Sequence, residues 1–105
     1  MYKLFLDDDK IYRSPADDSW IRVYSYEEFV SYIQRNGLPE EISFDHDLGN
    51  INGVVQKTGK DCANWLVGYC IDNNLKLPKY KAHTANPVGR QNIIGLLDSF
   101  KKHQS

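Results

Sequence analysis

Short apolar runs alternate along the chain with segments that have helical periodicity. Each short run is followed by polar or glycine-rich residues, which is the pattern of a buried strand rather than of a helix. On this basis four strands are predicted: Lys3 to Leu6, Trp20 to Tyr24, Glu41 to Phe44 and Tyr80 to Thr84.

Three helices are predicted from apolar residues at spacings of three and four, each with a capping residue in front. The last one begins with an asparagine and a proline, an N-cap followed by the residue best suited to the first helical position. His103 falls beyond it, in a polar tail that we expect to be frayed. The predicted limits are Ser25 to Gly37, Thr58 to about Asn73, and Asn86 to Phe100.

Strands that alternate with helices indicate βαβ units, and therefore a mainly parallel sheet with right-handed crossovers. We expect a compact α/β sandwich with helices flanking four strands, in the order 2-1-3-4 when strands are counted along the chain. At 105 residues the chain has the usual size of one domain, so we assign residues 1–105 to a single domain.

Polar clusters stand at the carboxyl ends of three predicted strands. In open parallel sheets, ligands bind at this edge, near the switch in strand order. In the order 2-1-3-4 these three strands are neighbours, so we expect residues far apart in sequence to meet there. The clusters are Asp7-Asp8, Asp45-His46-Asp47 and His83-Thr84-Ala85-Asn86.

Composition narrows the class of protein. Hydrophobic residues make up 41%, aromatic residues 12% and charged residues 26% of the chain, which is typical of a folded globular protein and not of a disordered one. No apolar run approaches the roughly 18 residues of a membrane span. No signal peptide precedes Asp7. We therefore expect a cytoplasmic protein with no membrane partner.

Charge is unevenly divided along the chain. The net charge of −1 argues against a general DNA- or RNA-coating protein. Residues 1–53 carry 5 basic and 11 acidic residues, whereas residues 54–105 carry 8 and 3. Two differently solvated faces would produce this division, and so would a site where carboxylates meet a phosphate-holding surface.

The two cysteines are predicted to be buried thiols. Cys62 and Cys70 are eight residues apart in one predicted helix, which separates them by about 12 Å. A disulfide needs Cα atoms within roughly 7 Å, so they do not pair within that helix. Thiols on a packed helix face do not suit catalysis, and the absence of a CxxC spacing excludes a zinc ribbon.

The first candidate chemistry is a divalent cation site. Carboxylates gathered at one edge repel each other, and a hard cation that prefers oxygen ligands relieves that repulsion. We predict Mg²⁺ or Mn²⁺ rather than Zn²⁺, and we also expect Asp8 and Asp45 to take part in catalysis. Aspartate is common in turns after strands as well, which is how we interpret Asp9, Asp17 and Asp18. The predicted metal ligands are Asp7, Asp8, Asp45 and Asp47.

His46 and His83 are the candidate proton-transfer groups. A histidine between two aspartates, as His46 is, suits a general acid or base and also a metal ligand. A lone histidine at a strand end is more often structural, but a second one at a matching strand end favours a functional site. We expect one to activate water and the other to protonate the leaving oxygen. As an exposed edge residue, His83 should be replaceable by alanine without loss of the fold.

The start of the third predicted helix is a candidate phosphate site. A helix N-terminus offers unpaired N–H groups, and an arginine in its first turn can bind phosphate through two parallel hydrogen bonds. Thr58-Gly59-Lys60 opens the second helix similarly, although a plain helix cap also explains it. The chain has neither a Walker motif nor GxGxxG, so ATPase and dinucleotide functions are not supported. The predicted phosphate ligands are Lys60, Thr84, Asn86, Val88, Gly89 and Arg90.

Two aromatic positions have different interpretations. Trp65 and Tyr69 continue the apolar stripe of the second predicted helix, so we assign them to the core. Trp20 fits either the core or a surface platform on which bases stack, and we favour the core.

These residues resemble receiver domains, which have a flavodoxin-like fold. The shared features are the acidic pair after the first strand, Asp45 at the end of the third and Thr84 at the end of the fourth. A standard receiver also has a fifth strand that bears a lysine, and this chain lacks the fifth strand-helix unit. A phosphorylation switch at Asp45 would therefore lack one of its usual residues.

Over nearly its whole length the chain more closely resembles a divergent branch, the cyclic-phosphate processing receiver-like domains of bacteria and phages. The specific part of the match is DHDLG followed at this distance by HTANPVG. The resemblance implies action on cyclic phosphates, either 2′,3′-cyclic ends of RNA or small cyclic nucleotides. The matching segments are Leu4-Phe5-Leu6-Asp7-Asp8, Phe44-Asp45-His46-Asp47-Leu48-Gly49, Thr58-Gly59-Lys60-Asp61 and His83-Thr84-Ala85-Asn86-Pro87-Val88-Gly89-Arg90-Gln91-Asn92.

One departure from that family concerns an arginine. Its members often carry one soon after the acidic pair, where this chain continues Asp9-Lys10 and has Arg13 later. If the arginine holds phosphate, Lys10 or Arg13 must replace it.

Three functions remain open on the sequence. The first is a phosphoesterase that opens a cyclic phosphodiester. The second is a non-catalytic nucleotide- or phosphate-binding module, acting as a sensor or sequestering protein, and the third is a degenerate signalling receiver. In the first two the partner is a small cyclic nucleotide or an RNA end. The loops 9–19 and 48–57 are long enough to close over it, and the sequence does not specify an oligomeric state.

Overall fold

The computed structural model describes residues 2–8, 19–46, 48, 50–51, 54–55 and 57–104, with only the backbone described at 50–51 and 54–55. Four main strands and three helices are present as predicted. Two of these strands have the predicted limits, and the ends of the other two differ from the prediction by one or two residues. The elements are β1 (Lys3–Leu6), β2 (Trp20–Val23), α1 (Tyr26–Asn36), β3 (Glu41–Phe44), β4 (Asn50–Ile51), β5 (Val54–Val55), α2 (Gly59–Asp72), β6 (Lys79–Ala82) and α3 (Pro87–Gln104).

Four of the strands form one parallel sheet in the order β2-β1-β3-β6, which confirms the predicted order 2-1-3-4. The register aligns Leu6 with Val23 and with Phe44, and Phe44 with Ala82, so the strands end level with each other. Pairing continues one step beyond the strands, because the Asp45 N–H donates to the Leu6 carbonyl at 3.0 Å. Residues that follow these strands therefore emerge side by side.

The predicted loop 48–57 contains an additional element. β4 and β5 pair there as a short antiparallel ribbon, which the sequence prediction missed because two-residue strands are too short to show alternation. Asp47, Gly49 and residues 9–18 lie outside the described residues. Most of the predicted closing loop 9–19 and part of the predicted closing loop 48–57 therefore lie outside the described residues. Lys10 and Arg13, the two candidate replacements for the family's arginine, lie there as well.

The last helix is longer than predicted. α3 continues through His103 to Gln104, so the prediction of a frayed tail is wrong. The Gln104 side chain ties this end down, since it accepts the Leu77 N–H at 3.0 Å and donates to the Leu75 carbonyl at 2.8 Å. Neither α3 nor another helix in the described ranges has the length and hydropathy of a membrane span.

All three helices pack on one face of the sheet. Leu4, Leu6 and Phe44 point to that face and belong to one core cluster with apolar residues of the helices. Phe5, on the opposite face of β1, is buried but lies outside that cluster, and so does half-buried Trp20. The preference for Trp20 as a core residue is therefore wrong. The helix residues of the core include Phe29, Ile33, Leu66, Ile93 and Leu97.

The cysteines behave as predicted. Cys62 and Cys70 are both buried and neither forms a disulfide. Burial raises the pKa of each thiol, so both stay protonated at neutral pH. They belong to the packing of α2 and not to the chemistry of a site.

Candidate functional site

Three carboxylates meet at the carboxyl end of the sheet. Asp7 follows β1 and is fully buried, Asp8 beside it is exposed, and Asp45 follows β3 and is 4% exposed. One carboxylate oxygen of each lies within 4.8 Å of those of the other two. This spacing and this all-oxygen donor set fit one hard divalent cation, Mg²⁺ or Mn²⁺. The fourth predicted ligand, Asp47, lies beyond the described ranges.

Three side chains contact the imidazole of His83. Its Nε2 lies 2.9 Å from Asp7 Oδ2 and its Nδ1 lies 2.7 Å from Ser43 Oγ. Its ring stacks on Phe5, with centroids 4.4 Å apart and planes inclined by 7°. Nε2 donates to the Asp7 carboxylate, which has no proton to give when ionised, and the Ser43 hydroxyl is the partner of Nδ1.

These contacts change the expectation for His83→Ala. We expected alanine to be tolerated because we predicted an exposed His83 side chain. The structure contradicts that prediction, since only 19% of the side chain is exposed. Truncation would remove a hydrogen bond from the fully buried carboxylate of Asp7. Losing a partner in this way typically costs about 1–3 kcal/mol. His83 therefore supports the fold as well as the site.

His46 lies on the other side of the carboxylates, between the first turns of α2 and α3. Its N–H donates to Asp45 Oδ1 at 2.9 Å, and its carbonyl accepts the Gly59 N–H at 2.7 Å. A Cβ added at Gly89 would lie 2.4 Å from His46 Cγ, so the missing side chain at Gly89 makes room for the imidazole. The two imidazoles thus lie toward opposite faces of the sheet: that of His46 lies against Gly89 of α3, on the helical face, and that of His83 lies on Phe5, on the other face.

Gly59 brings the start of α2 against the end of β3. A Cβ there would lie 1.8 Å from the Asp45 carbonyl oxygen. In the sequence, Gly59 suits either a phosphate-binding helix start or a plain helix cap, and no local pattern reveals its close approach to β3. The next residue, Lys60, is exposed in the first turn. Thr58 caps the helix in a reciprocal capping box with Asp61, which is the simpler explanation of this segment.

The start of α3 is only partly available to an anion. The Gly89 N–H donates to Asn86 Oδ1 at 3.0 Å, so this amide is already used by the helix cap. Thr84 is buried, and its hydroxyl accepts the Asn86 N–H at 3.1 Å. Arg90 Nη2 donates to the Thr84 carbonyl at 3.0 Å, which holds the exposed guanidinium near the edge. Arg90 and the 65% exposed Val88 are the better placed of the predicted anion ligands.

Two supporting residues of the site, Ser43 and Phe5, were not among the predicted site residues. Ser43 stands between Ile42 and Phe44 in β3 and is 1% exposed. A hydroxyl in a buried strand must find a partner, so the sequence carried a signal there. Phe5 carried none, since its contact with His83 depends on the pairing of strands distant in sequence.

The crowded carboxylates lead to a prediction on stability. Asp45→Asn is expected to raise the free energy of unfolding by about 1 kcal/mol in chelator, because it removes one of three neighbouring negative charges. The asparagine keeps the oxygen that accepts the His46 N–H. Added Mg²⁺ should raise the Tm of the wild type but not that of the variant. Thermal unfolding with EDTA and with Mg²⁺ measures both effects.

Asp72→Asn is the matched control, since it removes the same charge from an exposed position at the end of α2. Its response to Mg²⁺ should equal that of the wild type. A fall in the Tm of Asp45→Asn in chelator would contradict the picture of a repulsive cluster.

The fold and the site together define a class of protein. A parallel sheet in this order, with an acidic pair after β1, an aspartate after β3 and a threonine after β6, is that of a receiver-like domain. Residues 2–99 match the family described as the cyclic-phosphate processing receiver domain, and the chain belongs to that family. Membership indicates a role in cyclic-phosphate processing. Searches among curated proteins and among solved structures found no significant match.

Proposed function

We propose that this domain binds a cyclic phosphate at the acidic edge of the sheet and hydrolyses one of its two ester bonds. The observation that carries the proposal is the meeting of three carboxylate oxygens within 4.8 Å of each other, with the His83 imidazole bonded to Asp7 and the main-chain N–H of His46 bonded to Asp45. Family membership supplies the substrate class. The catalytic residues would be Asp8, Asp45, His46 and His83.

Asp7, Asp8 and Asp45 would hold the divalent cation. When bound, such an ion draws negative charge from the phosphoryl oxygens. Hydrogen bonds from the protein orient two of these carboxylates. Asp7 Oδ2 is hydrogen-bonded to His83 Nε2, and Asp45 Oδ1 accepts the His46 N–H. Oriented ligands of this kind are characteristic of functional metal sites.

The opposite placement of His46 and His83 suits in-line displacement at phosphorus. Water attacks on one side and the ester oxygen leaves on the other. One imidazole takes the proton of the water and the other gives a proton to the leaving oxygen. The products are a phosphate monoester and a free hydroxyl. His83 must exchange its bond to Asp7 or to Ser43 during this transfer, a rearrangement that catalytic groups commonly make when substrate binds.

Arg90 and the start of α3 would steady the phosphoryl group. The guanidinium is anchored by one N–H on the Thr84 carbonyl, which leaves its other N–H groups for phosphate oxygens. The exposed Lys60, in the first turn of α2, adds a second positive charge on the same side. Donors that are already in position stabilise the charge that grows on these oxygens during the reaction.

Phosphorus NMR of the protein with a panel of cyclic phosphates tests the proposal. The panel contains 2′,3′-cyclic nucleotides, 3′,5′-cyclic nucleotides and cyclic dinucleotides, each with Mg²⁺, with Mn²⁺ and with chelator. We expect catalytic conversion of at least one compound to its ring-opened ester. Asp8→Asn should abolish it without changing the fold, because Asp8 is exposed, whereas Asp72→Asn should not.

Two other outcomes would overturn hydrolysis. Saturable shifts of a cyclic resonance without conversion would make the domain a phosphate-binding module. No change with any compound, in the presence of either metal, would leave only the fold in common with the family.

A further inference from the structure

The face of the sheet opposite the helices carries aromatic and cationic side chains that the proposed hydrolysis does not use. The strand register places residues of all four strands in two successive rows on this face. One row is Lys3, Trp20, Glu41 and Lys79, and the next is Phe5, Arg22, Ser43 and Lys81. We name the aromatic face as the surface formed by Lys3, Phe5, Trp20, Arg22, Lys79 and Lys81.

Trp20 is the centre of this surface. Its ring meets the edge of Phe5 at a centroid distance of 6.1 Å. The Nζ atoms of Lys3 and Lys81 lie 5.5 Å and 5.0 Å from its centroid. The indole lies outside the core and both ammonium groups lie over its ring, so a base that stacks on this ring must displace at least one flexible lysine side chain, whose positive charge then stays next to the stacked base. Single-stranded nucleic acids are bound on surfaces of this composition.

Arg22 supplies a second, independent observation. Its guanidinium lies 5.5 Å from the Phe5 ring centroid and 5.4 Å from that of Tyr24. Its Nε and Nη2 atoms are buried and have no hydrogen-bond partner in the part of the chain that the structure describes. Buried donors without partners are unfavourable. A phosphate oxygen or a base carbonyl is the complement that such a group requires, and because both nitrogens are buried, it reaches them only when the side chains that cover them move.

The charge of the aromatic face also favours a polyanion. Lys3, Arg22, Lys79 and Lys81 are positive, and Glu41 is the acidic residue of the two rows, at 3.7 Å from Lys81. Positive charges therefore outnumber negative ones in these two rows, whereas the acidic edge gathers negative charges. Phosphodiester groups of a nucleic-acid backbone match this surface.

His83 connects the aromatic face to the acidic edge, since it stacks on Phe5 and bonds Asp7. Trp20 is aligned with Lys3, four residues before Asp7. At about 3.3 Å per residue, this places the indole about 13 Å from the edge. A single nucleotide held by the carboxylates does not span that distance, whereas a chain of several nucleotides does.

We infer that the aromatic face binds the single-stranded RNA that leads to a terminal 2′,3′-cyclic phosphate, with a base stacked on Trp20. Backbone phosphates would lie against Lys3, Arg22 and Lys81. This inference rests on the proposed function and narrows its substrate class to RNA ends, because a 2′,3′-cyclic phosphate forms only on ribose. Stacking on an aromatic ring accepts every base, so little sequence preference is expected.

Fluorescence anisotropy with a labelled short RNA in chelator tests this inference without turnover. Trp20→Leu should bind the RNA about tenfold more weakly, the loss expected for one stacked base. Trp20→Phe keeps an aromatic ring and should retain most of the affinity. Trp65→Leu, in α2 on the helical side of the sheet, is the matched control and should bind like the wild type.

The control variant also gives a direct signal of stacking. The chain has two tryptophans, so Trp20 is the remaining one in Trp65→Leu. RNA should quench its emission in that protein. In Trp20→Leu, the emission of Trp65 should not respond.

The salt dependence of RNA binding distinguishes contacts made by particular lysines from a general effect of the protein's net charge. Lys3→Ala combined with Lys81→Ala should reduce the slope of log K against log salt by about 0.7 for each lost contact. Arg35→Ala combined with Lys76→Ala removes two charges elsewhere and should leave the slope unchanged. Equal slopes for the two double variants would overturn the assignment of the lysines.

Equal RNA affinity of wild type and Trp20→Leu would overturn the inference. So would binding of a polyglutamate peptide that is tighter than RNA binding and depends on Trp20, because that result would indicate an acidic protein partner. The proposed function fails separately. If no cyclic phosphate is hydrolysed but RNA binding requires Trp20, RNA binding by the aromatic face is supported and the proposed hydrolysis is wrong. If cyclic mononucleotides are hydrolysed but RNA binding does not depend on Trp20, the proposed hydrolysis is supported and RNA binding by the aromatic face is wrong.

Discussion

Gly59→Ala is expected to destabilise the protein by about 3 kcal/mol, at the upper end of the usual cost of overpacking. The new methyl group would lie 1.8 Å from the Asp45 carbonyl oxygen and 2.8 Å from its carbon. These are backbone atoms, and they have little room to move. The Asp45 N–H bonds the Leu6 carbonyl, and the His46 carbonyl accepts the N–H of Gly59 itself. Relief of the clash must therefore separate α2 from β3.

Two other helical glycines provide matched controls. A Cβ at Gly68 or at Gly95 would meet nothing within 4 Å. Alanine there should stabilise the protein by roughly 0.5–1 kcal/mol, since it restricts the unfolded chain and favours the helix. Chemical unfolding followed by circular dichroism gives all three values. If Gly59→Ala proved as stable as Gly68→Ala, the contact between α2 and β3 would be looser than the structure has it.

His46→Gln is expected to lower the rate of cyclic-phosphate hydrolysis by about 10²–10⁴-fold, the usual contribution of a general acid or base. His46 is partly exposed and belongs to no core cluster, so the variant should fold. The dependence of kcat on pH is the informative measurement. The wild type should give a bell-shaped profile, and the variant should lose one limb of it.

His83→Gln is the companion variant. The glutamine amide can still donate to Asp7, so this change keeps the support that alanine would remove. If His83 transfers a proton, the other limb of the pH profile should disappear. A reduced rate with an intact bell-shaped profile would instead make His83 a positioning residue for Asp7. Wild-type activity in either variant would remove that histidine from the proposed mechanism.

Local patterns predicted most of the fold. Helix starts were found because each has a side chain that caps its own first turn: Ser25 accepts the Glu28 N–H at 3.1 Å, and Thr58 and Asn86 act similarly. The end of α1 was found because Gly37, with φ of 82°, adopts a conformation that favours glycine. The end of α3 was missed since Gln104 bonds Leu77 and Leu75, which are far away in sequence.

The candidate site was predictable as a set of residues but not as a geometry. Strand order and polar strand ends were enough to indicate that Asp7, Asp8 and Asp45 would meet, since level parallel strands bring their ends together. The sequence did not show that His83 is buried against Phe5 and Ser43. It also did not show that the N-termini of two helices enclose His46.

The sequence by itself determined the elements, their caps, the order of the strands and the identity of the acidic edge, because these follow from spacing within a few residues or from simple rules of connection. Only the tertiary structure decided which face of the sheet the helices cover, and so placed Trp20 and Arg22 outside the core. It also decided that Gly59 and Gly89 must lack side chains. These features depend on contacts between residues 13 to 78 positions apart in the sequence, and no local pattern encodes contacts at such separations.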